Sequence, residues 1–452
     1  MVRRFGDVKR AMARQTLPPV PYVPCLRLWF DLEGGLRFNG GGRLPHIVET
    51  HQTLEPLAYH VELRDYLKSQ ERALWDWFAS AQSRADYTQN LRSELLKSTY
   101  RLDAESHPEL YRGVAEAKAR LHLDLPVTLY QAQNSVQPNA TLCFVPGEGH
   151  IVFSGNVLAL LNAEEIKSVV GHELAHYLLW QWEQGELLIA DRLLQAVTCD
   201  PRSAASHEQT ARRFQLYTEI FADRGSLAVT GDVLPVVAGL VKIQTGLSQA
   251  SASGYLKQAE EIFAKEKVST KEISHPESFI RVRALSLWHS QPADATAQIT
   301  RMIEGATALE ELDVLNQARQ MNNTRRLLAW LLAPKWFQTP AVLGHARLFF
   351  PDFTPAAVKD PGILDEFKDC DPKFREYLCF VLLDFVRVDP ELEDLPLVAA
   401  LALAQAMELD APFEKLAARE LKMKVRDVRK LKEQAPERLA QAAAAPAEAA
   451  HE

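Results

Sequence analysis

The chain has 452 residues, of which 47% are hydrophobic and 24% charged, a balance typical of a globular protein with two or three domains. Its net charge of −8 argues against general nucleic-acid binding, which favours a basic surface. No segment has the roughly 18–20 apolar residues that span a bilayer, and no apolar signal follows the basic start. We therefore expect a cytoplasmic protein without a transmembrane segment.

The five cysteines disfavour a cysteine-based metal site because no two of them form a C-x-x-C pair. Their number is odd and their spacing wide, which is typical of reduced thiols in a reducing compartment. They are Cys25, Cys143, Cys199, Cys370 and Cys379.

Residues 1–104 are interpreted as an N-terminal region with a possible hairpin followed by helices. Two apolar runs, Leu26–Asp31 and Leu36–Phe38, flank Gly34-Gly35 and predict the hairpin. From Val61 to about Gln89 the apolar residues recur at helical spacing.

The next segment predicts a helix at about 108–122, a strand at 127–131 and a β-hairpin. The hairpin strands are 141–145 and 150–154, and they flank the turn signal Pro146-Gly147-Glu148-Gly149.

Three helices are predicted to follow. Asn162 and Glu165 have the spacing of a capping box and begin a helix that runs to about Glu183, before Gly185. A shorter helix covers 186–198, and a long helix runs from about 207 to 229.

The first of these helices contains His172-Glu173-Leu174-Ala175-His176, which has the H-E-x-x-H pattern. Residues i and i+4 share one face of a helix, so both imidazoles can bind one metal ion. Glu173 is placed to polarise a water molecule. This pattern is typical of zinc hydrolases, although five residues also match by chance.

A catalytic zinc ion needs a third protein ligand, and the best candidate is Glu219 on the next long helix. Asp223, one turn later, is placed to accept the second N–H of a ligand imidazole. Leu179 and Trp182 stand where the H-E-x-x-H-x-x-G-x-x-H pattern requires Gly and His, so that third ligand is excluded. Taken alone, Glu219 is better explained as a solvated helix charge; the motifs in combination favour a ligand.

These motifs together resemble the zinc endopeptidase family that includes the HtpX heat-shock protease and the CAAX-prenyl protease. The resemblance covers about residues 105–290 and has the family's order. The matching pieces are Pro138-Asn139-Ala140 before a strand, Ser154-Gly155, the Asn162 helix entry, Gly171 to His176, Glu219 with Ala222-Asp223, and His275-Pro276 with Arg281 in the H-P-x-x-x-x-R pattern.

The resemblance implies an α+β, mostly α chain, with a zincin-like peptidase domain at 105–290 that has a small β-sheet and an active-site helix. It implies one Zn²⁺ per chain on His172, His176 and Glu219, with Glu173 as general base. His275 and Arg281 would orient substrate or stabilise the oxyanion; a helix-entry residue and a structural ion pair are the alternatives.

The strand at 141–145 is a candidate to pair with an extended peptide, which would make Asn139, Thr141 and Cys143 substrate-binding residues. The alternatives are an ordinary core hairpin and, for Cys143, a small buried apolar residue.

Residues 291–433 predict an all-α domain without a catalytic motif. It faintly resembles a TerB-like domain, with acidic residues between two apolar helices at Asp384, Asp389, Glu391, Glu393 and Asp394. A solvated loop explains these charges as well. We expect this domain to dock a protein partner, and we expect 434–452 to be a disordered Ala/Pro/Glu tail.

The sequence therefore predicts a soluble zinc endopeptidase that acts on polypeptides. The alternative is a binding or scaffold protein that keeps a peptidase fold with weak or gated hydrolysis. The chain departs from the similar family in two ways. Many members of that family are membrane-bound, whereas no transmembrane segment is expected here. The chain also carries about 100 residues before the matching region and about 160 after it.

Overall fold

The computed structural model of the chain describes a defined set of residues: 54–82, 85–200, 203–265, 278–290, 292–304, 309, 312–355, 362, 364, 367 and 372–444. They fall into two compact units, one within Met1–Ile303 and the other within Glu304–Glu452. The hairpin predicted around Gly34-Gly35 lies outside the described residues, and so does His275. Cys143, Cys199 and Cys379 form no disulfide bond with one another.

The first unit combines many helices with one small sheet, as the α+β, mostly α prediction requires. Its helices are α1 Ala58–Gln70, α2 Arg72–Gln82, α3 Ala85–Ser98, α4 Pro108–Arg120, α5 Val157–Leu160, α6 Ala163–Gln181, α7 Glu186–Thr198, α8 Ala205–Thr230, α9 Val233–Thr245, α10 Ala252–Lys265, α11 Ser278–Ser290 and α12 Pro292–Glu304. Its strands are β1 Thr99–Leu102, β2 Val127–Ala132, β3 Asn139–Val145 and β4 Glu148–Ser154.

The described strands form one mixed sheet in the order β1-β2-β4-β3. The β3–β4 hairpin is antiparallel, as predicted, and Pro146-Gly147 is its two-residue turn. β2 runs parallel to β4, and β1 pairs antiparallel with β2. Strand β1 is not predicted by the sequence, because it has only four residues, includes Arg101 and shows no clear apolar alternation. The order leaves β3 at one edge of the sheet.

The two faces of β3 pack against different parts of the unit. Leu142 and Phe144 contact the apolar core that contains Leu174 of α6. Cys143 and Val145 lie on the opposite face with Leu91 of α3. Because side chains alternate along a strand, only the first set points towards the H-E-x-x-H helix.

Helix α6 begins at the predicted capping box. Asn162 Oδ1 accepts a hydrogen bond from the Glu165 backbone N–H at 3.0 Å, and Glu165 Oε2 accepts one from the Asn162 backbone N–H at 2.8 Å. Lys242 of α9 forms a buried ion pair with Glu165 at 2.8 Å. The start of the helix is therefore fixed both locally and by a neighbouring helix.

Helices α6 and α8 approach closely because small residues face each other between them. A Cβ atom placed on Gly225 would lie 2.3 Å from the Ala175 Cβ, and one on Gly171 would lie 3.0 Å from the Val229 side chain. The separation of packed helices depends on the side chains between them, so these glycines set the distance between the two backbones.

Helix α1 packs on α8 beside position 219. Tyr59 stacks on Tyr217 with ring centroids 4.6 Å apart. His60 Nδ1 accepts from the Leu57 backbone N–H, so its Nε2 carries the hydrogen that it shares with Thr218 Oγ1 at 3.3 Å. Burial lowers the pKa of His60 to about 3, which keeps the ring neutral. Residues before 104 thus support the same compact unit.

The second unit is entirely helical in its described residues. Its main helices are α13 Val314–Leu331, α14 Pro340–Phe349, α15 Pro372–Asp384, α16 Leu395–Ala406, α17 Asp410–Glu420, α18 Val425–Glu433 and α19 Ala435–Ala444. None of the described helices combines the length and the apolar character needed to cross a membrane.

Residues 435–444 of the segment predicted to be a disordered tail form helix α19, and residues 445–452 lie outside the described part of the chain. Ala435 is buried and Leu439 packs against the core of the second unit. Alanine is the best helix former, so an Ala-rich segment with apolar anchors forms a helix where composition alone suggests disorder.

The close helix contact gives a first prediction. In Gly225→Ala the added methyl group must push α6 and α8 apart, and overpacking of this kind typically costs about 1–3 kcal/mol. We expect a lower melting temperature. Gly113→Ala is the control, because its Cβ would meet only the Lys167 Cβ at 3.9 Å. Equal stability of both variants would contradict the tight contact.

Candidate active site

Three side chains from α6 and α8 converge on one point. His172 Nε2 and His176 Nε2 are 3.1 Å apart. Glu219 Oε2 lies 3.5 Å from His172 Nε2, and its Oε1 lies 3.6 Å from His176 Nε2. The helical i, i+4 spacing brings the two imidazoles together, and the close approach of α8 adds the carboxylate.

The donor atoms have the spacing of a four-coordinate zinc site. Ligand atoms about 2.0–2.2 Å from a tetrahedral zinc ion lie roughly 3.3–3.6 Å from one another. The three measured separations are close to this range. Within the part of the chain that the structure describes, this is the group of His, Cys, Asp or Glu residues able to hold a metal ion.

Asp223 and Arg281 contact two members of this group, His172 and Glu219. Asp223 Oδ1 lies 3.1 Å from His172 Nδ1. Arg281 of α11 donates from Nε and Nη2 to the two oxygens of Asp223, both at 2.7 Å, and its Nη1 lies 2.9 Å from Glu219 Oε2. Both Asp223 and Arg281 are buried. One guanidinium thus links the Glu219 and Asp223 carboxylates of α8.

The two imidazoles differ in proton affinity. Burial opposes a charge on His172, but hydrogen bonds to Asp223 and Glu219 outweigh it and raise its pKa to about 10. Burial, with the nearby charge of His172, lowers the pKa of His176 to about 4. A proton and a cation cannot both occupy His172 Nε2, so metal binding there releases a proton.

The Glu219 carboxyl is held in its charged form. Burial favours the neutral acid, but the charges of Arg281 and His172 outweigh it and keep the pKa of Glu219 well below its usual range. A carboxylate that stays ionised is the form that binds a metal ion.

Glu173 has the opposite tendency. Its side chain is 5% exposed, and burial raises its pKa to about 7, although the charge of His172 and a hydrogen bond from the Leu142 backbone lower it. A carboxyl group with a pKa near neutrality is suited to both accepting and donating a proton. The contact with Leu142 also places Glu173 beside strand β3.

The hairpin turn determines which backbone groups of β3 face outwards. Val145 and Glu148 flank a two-residue turn, so they form a hydrogen-bonded pair, and every second residue of β3 pairs in the same way. The outward N–H and C=O groups are therefore those of Ala140, Leu142 and Phe144. The hydrogen bond from Leu142 to Glu173 agrees with this parity.

The side chains of Thr141 and Cys143 lie on the other face of the sheet from those that pack against α6. They share the sheet face that turns away from α6, where Cys143 is buried against α3. Asn139 is exposed at the start of the strand. A role of Asn139, Thr141 and Cys143 in substrate binding stays a prediction.

Two aromatic residues of α6 that the sequence reading passed over also shape the site. Trp180 stacks on His176 with ring planes 11° apart and centroids 6.2 Å apart. The Tyr177 hydroxyl accepts a hydrogen bond from the Gly147 backbone N–H at 2.8 Å and so ties the hairpin turn to α6. The sequence indicates this contact by spacing alone, because Trp180 follows His176 by one helical turn and so lies on the same face of α6.

The buried carboxylate of Asp223 gives a second prediction. Asp223→Ala leaves the Arg281 charge buried without its main partner, which typically costs about 3–5 kcal/mol. We expect a large drop in the free energy of unfolding, measured by urea denaturation. In Glu260→Ala only the exposed ion pair with Arg283 is lost, so the loss should stay within about 1 kcal/mol. Similar losses in both variants would contradict the buried network.

Comparison with known proteins finds one family model that matches part of the chain. Residues 104–198 match the model of Peptidase family M48. No curated protein and no solved structure matches the chain. The matched segment runs from just before α4 to the end of α7 and includes His172, Glu173 and His176, whereas Glu219, Asp223 and Arg281 lie beyond it. The match supports a metallopeptidase of family M48, and the His-Glu group beside it is suited to hold the metal.

Proposed function

We propose that the protein is a zinc-dependent endopeptidase that hydrolyses peptide bonds within polypeptides. The observation that carries this proposal is the convergence of His172, His176 and Glu219 on one point, with the buried Glu173 next to them. The family match supports a metallopeptidase but does not specify zinc or an internal cleavage site.

In this proposal one zinc ion per chain binds to His172 Nε2, His176 Nε2 and a Glu219 oxygen. When bound, zinc supplies the Lewis acidity that activates a water molecule and polarises the scissile carbonyl. Asp223 holds the His172 ring by its Nδ1, so that Nε2 points to the metal. Trp180 covers one side of His176 and limits its rotation.

Glu173 acts as the general base. It accepts the proton of the attacking water and passes it to the nitrogen of the leaving amine. A pKa raised by burial to about 7 suits both transfers near neutral pH. The backbone N–H of Leu142 keeps the carboxylate beside the strand along which a substrate would lie.

The substrate is proposed to lie along the open edge of β3. An extended peptide would bond as an added strand to the outward N–H and C=O groups of Ala140 and Phe144 and to the C=O of Leu142, because the Leu142 N–H already donates to Glu173. Backbone pairing recognises an extended chain rather than a terminus, which favours internal cleavage. The Arg281 guanidinium forms ion pairs with Asp223 and Glu219, which supports the structural ion-pair alternative for this residue.

The role assigned to His275 stays a prediction, because this residue lies outside the described part of the chain. The cytoplasmic location, the TerB-like resemblance and docking of a protein partner by the second unit also stay predictions. In that unit Asp389 already has a structural role, since its Oδ1 accepts a hydrogen bond from the Glu391 backbone N–H at 3.1 Å.

The third prediction concerns Glu173. Glu173→Gln preserves the size of the side chain but removes the base, so we expect zinc to stay bound at one ion per chain while cleavage of casein is lost. General base catalysis contributes about 10²–10⁴-fold to a rate. Zinc content is measured by elemental analysis and cleavage by release of labelled fragments.

Glu164→Gln is the matched control, because Glu164 is exposed on the same helix and should leave both readouts unchanged. A chelator should abolish wild-type cleavage, and added zinc should restore it. Wild-type protein that binds zinc but cleaves no unstructured protein would favour the scaffold alternative. Cleavage retained by Glu173→Gln would reject the base assignment.

The fourth prediction tests the strand edge. Ala140→Pro removes an outward N–H that a substrate would use but no bond to β4, so we expect a raised KM and an almost unchanged melting temperature. Thr141→Pro removes an N–H directed at β4 and should lower the melting temperature. The reverse order of stability would show that the outward set is Thr141 and Cys143.

A further inference from the structure

We propose that Arg281 is a positioning residue that restricts Glu219 to one-oxygen coordination of the metal and so preserves an open position for water. This inference rests on the proposed function and its metal site. It adds that the contact between Arg281 and Glu219 sets the coordination number of the metal. It also assigns Arg281 a role other than the oxyanion contact that the family resemblance suggests.

The guanidinium is engaged on both of its edges. Nε and Nη2 form a parallel pair of bonds to Asp223, and Nη1 reaches Glu219. Such a two-bond fork fixes orientation as well as distance, which a single ammonium group does not do. Asp223 in turn contacts His172, so Arg281 connects both ligand-bearing helices, α6 and α8, to α11.

The contact with Glu219 distinguishes the two oxygens of that carboxylate. Nη1 lies 2.9 Å from Oε2, and Oε1 faces His176 Nε2 at 3.6 Å. A donor hydrogen bond on Oε2 competes with a metal ion for that oxygen, whereas Oε1 has no such competitor within the guanidinium. Glu219 therefore offers one good ligand atom instead of two.

The number of ligand atoms matters for hydrolysis. A catalytic zinc site has three protein ligands and one position for water. Two histidines and a two-oxygen carboxylate would fill four positions and weaken the hold on water. Arg281 also balances the charge of Glu219 and Asp223, which lie one turn apart on the same helix face.

The burial of Arg281 separates it from the substrate. Its residue exposure is 9%, and three of its nitrogens are directed at protein carboxylates. A group that stabilises an oxyanion must instead present its donors to the open site. The arginine therefore acts through Glu219 and not on the reacting carbonyl.

The test compares Arg281→Met and Arg281→Lys with the wild-type chain. Arg283→Met is the matched control, because Arg283 lies two residues further along α11 and pairs only at the surface with Glu260, at 3.7 Å. For each full-length protein, zinc affinity is measured by competition with a chromophoric chelator. The visible spectrum after Co²⁺ loading reports coordination number, and casein cleavage gives kcat and KM.

We expect Arg281→Met to bind zinc about 10–100-fold more weakly, the usual effect of removing a partner of a metal ligand. Its Co²⁺ bands should weaken, because visible absorption falls as the coordination number rises. The kcat should drop while KM stays unchanged. Arg281→Lys keeps a charge without the fork, so its spectrum should shift in the same direction, and Arg283→Met should match the wild type.

A Co²⁺ spectrum and zinc affinity equal to wild type in either folded Arg281 variant would overturn the proposal. If Arg281→Met does not fold, as judged by its melting transition, Arg281→Lys decides. A zinc-bound wild-type chain that cleaves no polypeptide would refute the proposed function but leave this spectral comparison valid. The two failures are therefore distinguishable.

Discussion

The site depends on how closely the backbones of α6 and α8 approach each other. Gly225 faces Ala175 at a distance that leaves no space for a methyl group, and Gly171 lies against Val229 in the same seam. Glu219 is separated from the Gly225 contact by less than two helical turns, so its distance from the imidazoles follows from this packing. A metal ligand set requires positions correct to a few tenths of an ångström. A tight helix contact provides that precision better than a loop does.

The local parts of the site could be predicted from the sequence because they depend on helix geometry alone. The i, i+4 spacing of His172 and His176 and the Asn162–Glu165 capping box fall in this class. The approach of Glu219 and Asp223 is tertiary, and the sequence supported it only through the order of motifs. Strand β1 has too few residues to produce an alternating pattern, and the outward parity of β3 depends on its turn and partner strand. The position of Arg281 depends on the packing of α11, which no local pattern specifies.

The described elements that build the candidate site extend beyond the segment that matches the family model. Glu219 is on α8, Arg281 is on α11, and α1 packs Tyr59 and His60 against the helix that bears Glu219. Residues 104–198 alone contain His172, His176 and Glu173 but lack Glu219, Asp223 and Arg281. The whole described group therefore needs α6, α8 and α11 together, and α1 packs against the second of these helices.

Helix α6 carries Glu173 and also fixes the position of β3. Its Tyr177 bonds to the hairpin turn, and its Glu173 bonds to the backbone of Leu142. The distance between Glu173 and a polypeptide bound along β3 would therefore be fixed. Successive residues of an extended chain advance by about 3.3 Å and alternate in facing direction. Sliding by one residue reverses every side chain, so equivalent bonds would reach Glu173 only in steps of two. The register of the bound strand would then decide which peptide bond lies beside Glu173. That register would depend on which alternate side chains of the substrate fit against the sheet.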